Sequence, residues 1–200
     1  MSFKNQIIED INGYKERFSH IQQIHNDEWA FNFWILDKFF NEDEELIVDK
    51  IIEDRDRGID VYQYYEDTNE LFLVQNKFYS DNSYLQTEYV INNLFINPVT
   101  ILDEGTYTRC PELQAIYNEG KNRANFTIYF HVYVTNDRIN SQVEEAVREY
   151  NARNNPRIFF KVFYLKDIKK KYFGEIPRSR TMAQFRTLGQ TEHQVSRFFA

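Results

Sequence analysis

The hydrophobic rhythm of the chain changes several times, and each change marks an element. Ile7, Ile8, Ile11, Tyr14, Phe18, Ile21 and Ile24 recur every three or four residues, which predicts an amphipathic helix over 4–24. Trp29, Phe33, Trp34, Ile35, Phe39 and Phe40 predict a second helix from Asp27 to about Phe40, capped by Asn26 or Asp27. Its aromatic surface marks it as the central helix. After the acidic connection NEDEE, the branched run LIVDKII (46–52) predicts a strand. Residues 58–65 and 70–79, rich in Val, Tyr, Phe and Leu, flank the turn signal Asp67-Thr68-Asn69 and predict a hairpin. Helical spacing returns over 83–96, and Asn97-Pro98 should stop it; a short helix is expected around 112–118.

FTIYFHVYVT (126–135), a helical stretch Ser141–Arg153 behind an Asn140 or Ser141 cap, and RIFFKVFYL (157–165) then read as strand, helix, strand. That order implies a right-handed parallel crossover. The fold class is therefore α/β, a mixed sheet flanked by helices, in one domain reaching to residue 168. From Lys169 the basic stretch KKKYFGEIPRSR opens an extension, 169–200, that reads as poorly packed and as the start of a further domain.

Composition narrows the function classes. A chain of 200 residues, 42% hydrophobic, can bury one core of ordinary size. Its single cysteine, Cys110, excludes an internal disulfide, and His20, His25, His131 and His193 lie at no zinc-ligand spacing. A reducing, cytoplasmic setting is expected. The N-terminal residues carry acidic groups and no apolar run, and no window approaches a membrane span, so no membrane partner is expected. The net charge of −7 conceals a division: residues 1–108 hold 8 Lys+Arg against 22 Asp+Glu, a balance of −14, while 109–200 hold 16 against 9, a balance of +7. Either one face takes up metal and another meets a polyanion, or both are solvated surfaces.

The candidate chemistry lies in the hairpin. Side chains alternate along a strand, so Gln75 and Lys77 share a face with Leu71 and Leu73. A tight turn at Asp67-Thr68 or Thr68-Asn69 brings Asp60 opposite Gln75 or Lys77 and onto that face, whereas a register opposite Asn76 would separate them. A hard cation such as Mg²⁺ (or Mn²⁺) takes oxygen ligands, and Asp60 with the Gln75 side chain or the Asn76 main-chain carbonyl would suit it. Lys77 could then orient a water and stabilise charge developing on a phosphate. A further carboxylate would help hold the metal; Glu28 and Asp37 on the second helix are candidates, with Glu28 preferred. The plainer alternative is an Asp60–Lys77 ion pair across an exposed hairpin, worth about 0.2–1 kcal/mol.

At these residues the chain resembles the PD-(D/E)xK nuclease superfamily, the restriction-endonuclease-like fold. More closely, GIDVYQ followed by LFLVQNKFY is similar to the GID and QxK signature of Mrr-type type IV restriction enzymes and of the N-terminal region of AIPR (abortive-infection phage-resistance) proteins. The similarity to AIPR extends over most of residues 26–168 and includes the helix DEWAFNFWILDKFF. It implies an α-β-β-β-α-β core and a Mg²⁺-dependent endodeoxyribonuclease of phage defence or restriction, with Asp60, Gln75, Lys77 and Glu28 as catalytic residues and Asp60, Gln75, Asn76 and Glu28 around the metal. Nucleic acid, DNA first, is then the expected partner, met by Arg148, Arg153, Arg157, Lys161 and the cluster Lys169-Lys170-Lys171. For the lysine cluster a solvated helix end is the equal alternative. For the whole chain the alternatives are a non-catalytic module of the same fold that binds nucleic acid or a partner protein, and a structural dimerisation domain. A homodimer and a further C-terminal domain are both left open.

Overall fold

The computed structural model describes residues 2–40, 42–52, 58–79, 83–153 and 157–174. Four strands form one mixed sheet in the order β1 (Val61–Tyr65), β2 (Glu70–Lys77), β3 (Thr127–Val134) and β4 (Ile158–Phe163). The β1–β2 hairpin is antiparallel, and β2, β3 and β4 run parallel. One face packs against α1 (Phe3–Arg17), α2 (Asp27–Ile35), α3 (Glu44–Ile47) and α8 (Leu165–Tyr172) through Val61, Phe72, Val74, Tyr133 and Phe163. The other, through Tyr62, Leu71, Leu73, Phe130 and Val132, packs against the helices that link the parallel strands. These are α4 (Thr87–Tyr89), α5 (Asn97–Asp103), α6 (Pro111–Gly120) and α7 (Ser141–Arg153). The fold is mixed α/β, a four-stranded sheet between helical layers.

α2 is the central helix its aromatic content demands. The Asn26 side chain accepts from the Glu28 and Trp29 N–H groups, satisfying two donors that a helix start leaves open. Every residue from Trp29 to Ile35 is then buried. A fully buried side chain such as Phe33 contributes roughly 1.5–3 kcal/mol, so α2 anchors the layer that carries the site. It ends in a π-helical turn, Leu36–Phe40, that keeps Phe39 and Phe40 inward.

Four expectations are corrected. LIVDKII is not a strand: Asp43 caps α3 by accepting from the Glu45 N–H, Val48–Lys50 continues as a 3-10 turn, and Ile51 alone bridges Val61. The cap and the acidic first turn outweigh a short branched run. The first helix stops at Arg17, and Ile24 reaches the core from a separate 3-10 turn, Gln22–His25. Asn97-Pro98 does not end the third helical stretch, because the preceding segment Val90–Ile96 is π-helical and the Asn97 N–H reaches back to Asn92. The wider turn lets Pro98 enter α5 near its start, where its missing N–H is harmless. Finally, packing continues past Lys169, since α8 buries Ile168 and Lys171; residues 175–200 lie outside the described residues. Among the described residues no helix is long and apolar enough to cross a membrane.

Candidate functional site

The hairpin register decides which side chains meet. Tyr65 pairs with Glu70 across a four-residue turn in which Asn69 takes a positive φ of 53°, a conformation Asn tolerates. Val61 pairs with Val74, so the next position brings Asp60 opposite Gln75. The Asp60 N–H donates to the Val74 carbonyl at 2.8 Å, and its own carbonyl accepts from Ile52 at 2.8 Å. Gly58 makes this approach possible. Its φ is +94°, and a Cβ there would lie 2.3 Å from the Asn93 carbonyl oxygen, so only glycine lets the chain pass the π-helical segment and deliver Asp60.

Asp60 Oδ2 accepts from Gln75 Nε2 at 2.6 Å and from the Asn76 main-chain N–H at 2.6 Å. On the opposite face of β2, Asn76 Nδ2 donates to Asn32 Oδ1 of α2 at 2.7 Å. Both amide nitrogens are therefore engaged. The buried oxygens Gln75 Oε1 and Asn76 Oδ1 have no hydrogen-bond partner, and neither has Trp29 Nε1. Such orphans are rare, since a buried acceptor without a donor costs about 1–3 kcal/mol.

Six buried side-chain atoms among the described residues lack a hydrogen-bond partner; those of Tyr62, Gln63 and Tyr164 lie elsewhere, and these three line a cleft of about 600 Å³ at the carboxyl end of β2, together with Asp60, Lys77 and Glu28. Asn26, Asn32 and the exposed Gln22 and Gln23 add further amides to its wall. Ligands of open α/β sheets generally sit outside the carboxyl ends of the parallel strands. Among the described residues lining this cleft, Lys77 is the cation. Burial alone would lower the pKa of its ammonium, but a hydrogen bond and charge interaction with Tyr89, followed by Asp60 and Tyr79, outweigh that and leave it raised. Lys77 Nζ lies 5.2 Å from the centre of the Tyr89 ring. The Tyr79 phenol is itself raised, first by burial, with Lys77 opposing and Tyr89 and Glu28 adding to the rise.

Asp60, Gln75, Asn76, Lys77 and Glu28 thus border one cleft, Glu28 from the exposed first turn of α2. Asp37 lies elsewhere, accepting from the Tyr14 hydroxyl and pairing with Lys38 at 2.7 Å. Among the described residues no group of three or more His, Cys, Asp or Glu side chains is gathered for a metal ion. The expected basic face is dispersed. Arg148 is exposed on α7 beside Glu145, at 3.3 Å. Arg157 lies at the amino end of β4, where its guanidinium donates to the Lys121 carbonyl at 3.4 Å, roughly 20 Å along the sheet from Lys77. Lys161 extends over Phe163, 4.7 Å from the ring centre. Lys169 and Lys170 are exposed on α8, but Lys171 is only 2% exposed, with its ammonium 5.3 Å and 5.5 Å from the rings of Phe39 and Phe163. The Arg153 side chain lies outside the described residues.

Sequence reasoning missed Asn32, Trp29 and Tyr89. Asn32 carried a signal, being a lone amide inside the aromatic run DEWAFNFW. Tyr89 carried another, as the third of three tyrosines, Tyr79, Tyr84 and Tyr89, spaced five apart. No protein-family model, no curated protein and no solved structure matches this chain.

Proposed function

We propose that the chain is a metal-dependent nuclease that hydrolyses phosphodiester bonds of DNA, built on a restriction-endonuclease-like core. The observation that carries this reading is the meeting of Asp60, Gln75 and Lys77 in one cleft at the end of β2, with the Gln75 carbonyl oxygen buried and unpartnered. The donor set is one of hard oxygens: the Asp60 carboxylate, Gln75 Oε1, the Asn76 main-chain carbonyl and, from α2, Glu28. Such a set fits Mg²⁺ or Mn²⁺. A divalent cation held there would supply a polarised phosphoryl oxygen and an acidified water. Lys77, kept charged by Tyr89 and Asp60, stabilises negative charge developing on the phosphate and orients the incoming water. Of the basic residues, Lys169 and Lys170, exposed on α8, are the ones this reading assigns to phosphates of the substrate, since Arg148 lies in the opposite helical layer and Arg157 at the far end of the sheet. The setting in phage defence or restriction rests on the resemblance of the GID and QxK segments.

A second reading is favoured by the same hydrogen bonds. Asp60 Oδ2 already accepts two of them, and an Asp so satisfied also suits a structural pin in a non-catalytic module that binds nucleic acid or a partner protein. The test is plasmid nicking with Mg²⁺ or Mn²⁺ by wild type, Asp60→Asn and Lys77→Ala. The nuclease reading expects nicking by wild type and its loss in both variants. Equal nicking by all three samples overturns the site, and none by wild type leaves the non-catalytic module.

A further inference from the structure

A second concavity, about 390 Å³, is lined by Tyr79, Ser83, Tyr84, Gln86 and Tyr89. Three of its five lining residues are tyrosines, and two of those rings have a cation near them. Lys77 Nζ is 5.2 Å from the Tyr89 ring centre, and the Arg138 guanidinium is 5.7 Å from that of Tyr84. Tyr84 is 50% exposed, so its ring is available to a ligand. The walls are fixed by the fold. The Tyr79 carbonyl accepts from Lys4 Nζ and Thr135 Oγ1, both at 3.1 Å, and the Ser83 carbonyl accepts from Asn136 Nδ2 at 2.7 Å. Asn140 Nδ2 holds the Leu85 carbonyl at 3.0 Å. The aromatic surface is therefore tied to the loop after β3 and organised in advance of binding.

Flat rings flanked by cations, one of them the lysine of the first cleft, match a nucleotide: base on the tyrosine faces, phosphates at Lys77 and Arg138. We propose that this concavity is a stacking subsite for an unpaired nucleobase, and that the chain engages single-stranded nucleic acid, or a strand locally opened, next to the Lys77 cleft. This rests on the nuclease reading for the nature of the substrate, although the binding itself requires no metal. Ser83 and Gln86 at the rim supply polar contacts to base edges without selecting one base, because every base offers a π face.

The test is fluorescence anisotropy in EDTA with a labelled 12-nucleotide single-stranded DNA and with a blunt duplex of the same sequence, on wild type, Tyr84→Ala and Tyr84→Trp. Wild type should prefer the single strand. Tyr84→Ala should weaken that binding about tenfold, the size of one base-on-tyrosine stack, and Tyr84→Trp should restore it. With 2-aminopurine in the oligonucleotide, wild type should change its emission and Tyr84→Ala should not. Single-strand binding indifferent to Tyr84, or preference for the duplex, overturns the proposal; so does capture of a proline-rich peptide with the oligonucleotide left free. Nicking assays on the same samples separate the two readings. Tyr84-dependent binding in a protein that never nicks supports the subsite and removes the nuclease, and nicking with Tyr84-indifferent binding does the reverse.

Discussion

The two ends of β2 both bury polar side chains, yet they are finished differently. At the amino end Glu70 is 8% exposed and both its carboxylate oxygens have donors, the Tyr129 hydroxyl at 3.2 Å and the Thr68 hydroxyl at 3.0 Å. Nearby, Asn69 Oδ1 accepts from Tyr64 at 3.0 Å and from Arg123 at 2.9 Å. At the carboxyl end Gln75 and Asn76 are as deeply buried, 2% and 8% exposed, but each retains an acceptor without a donor, and both front a cleft. The two tryptophans of α2 repeat the contrast: Trp34 Nε1 donates to Asp10 at 2.9 Å, whereas Trp29 Nε1, beside the cleft, has no partner. A closed network holds the amino end together, whereas the carboxyl end keeps acceptors beside a cleft, which is where the proposed ligand would bind.

Substitutions at the two ends of β2 should have different consequences. Asp60→Asn should lower metal-dependent cleavage by at least about 10²–10³-fold, with little change in the unfolding midpoint because the amide retains an oxygen for Gln75 or Asn76. Asp60→Ala would be a poorer probe, since it strands both of those donors. Gly58→Ala should destabilise by roughly 1–3 kcal/mol or more in urea denaturation, because it combines a positive φ with a 2.3 Å approach to the Asn93 carbonyl. An unchanged midpoint would show that Asp60 is delivered by another route.

Smaller effects sharpen the contrast. Asn32→Leu leaves Asn76 Nδ2 without its acceptor and should cost about 1–3 kcal/mol, whereas Glu70→Gln should cost about 1 kcal/mol and leave cleavage untouched. Loss of cleavage in Glu70→Gln would erase the distinction between the two ends. A pH effect is expected from His131, buried on the α2 face of β3, whose pKa is driven well below the usual histidine value by burial and then by the charges of Lys171 and Lys161. The folded state holds this ring neutral while the unfolded chain protonates it. Stability is thus full above about pH 6.5 and falls as pH drops below it, by about 1.4 kcal/mol per pH unit. His131→Phe should flatten that slope in denaturation curves between about pH 6.5 and 5.

What was legible in the sequence was local or periodic. The two-residue period fixed which side chains of β2 share a face, but the turn signal left three registers, with Asp60 opposite Gln75, Asn76 or Lys77, and the observed pairing of Tyr65 with Glu70 selects Gln75. Asn26 announced the start of α2 for the same local reason. What escaped depends on contacts distant in sequence or on competition between signals. Nothing near Asn76 foretells Asn32, and nothing near Lys77 foretells the turn of helix that brings Tyr89 over it. In LIVDKII the Asp43 cap competed with branched side chains and prevailed. At Asn97-Pro98 a π-helical segment absorbed a proline that would have stopped a regular helix. The basic half of the chain misled in another way, because charge that is continuous along the sequence is dispersed in space, and Lys171 is enclosed between aromatic rings.

On the reading proposed above, Asp60, Gln75 Oε1 and the Asn76 main-chain carbonyl receive a hard cation at the carboxyl end of β2. Calorimetric titration of Mn²⁺ into wild type, Asp60→Asn and Glu70→Gln tests it most directly. One site in wild type and in Glu70→Gln, lost in Asp60→Asn, is the expected result. Equal binding by all three proteins, or binding lost only in Glu70→Gln, would contradict it.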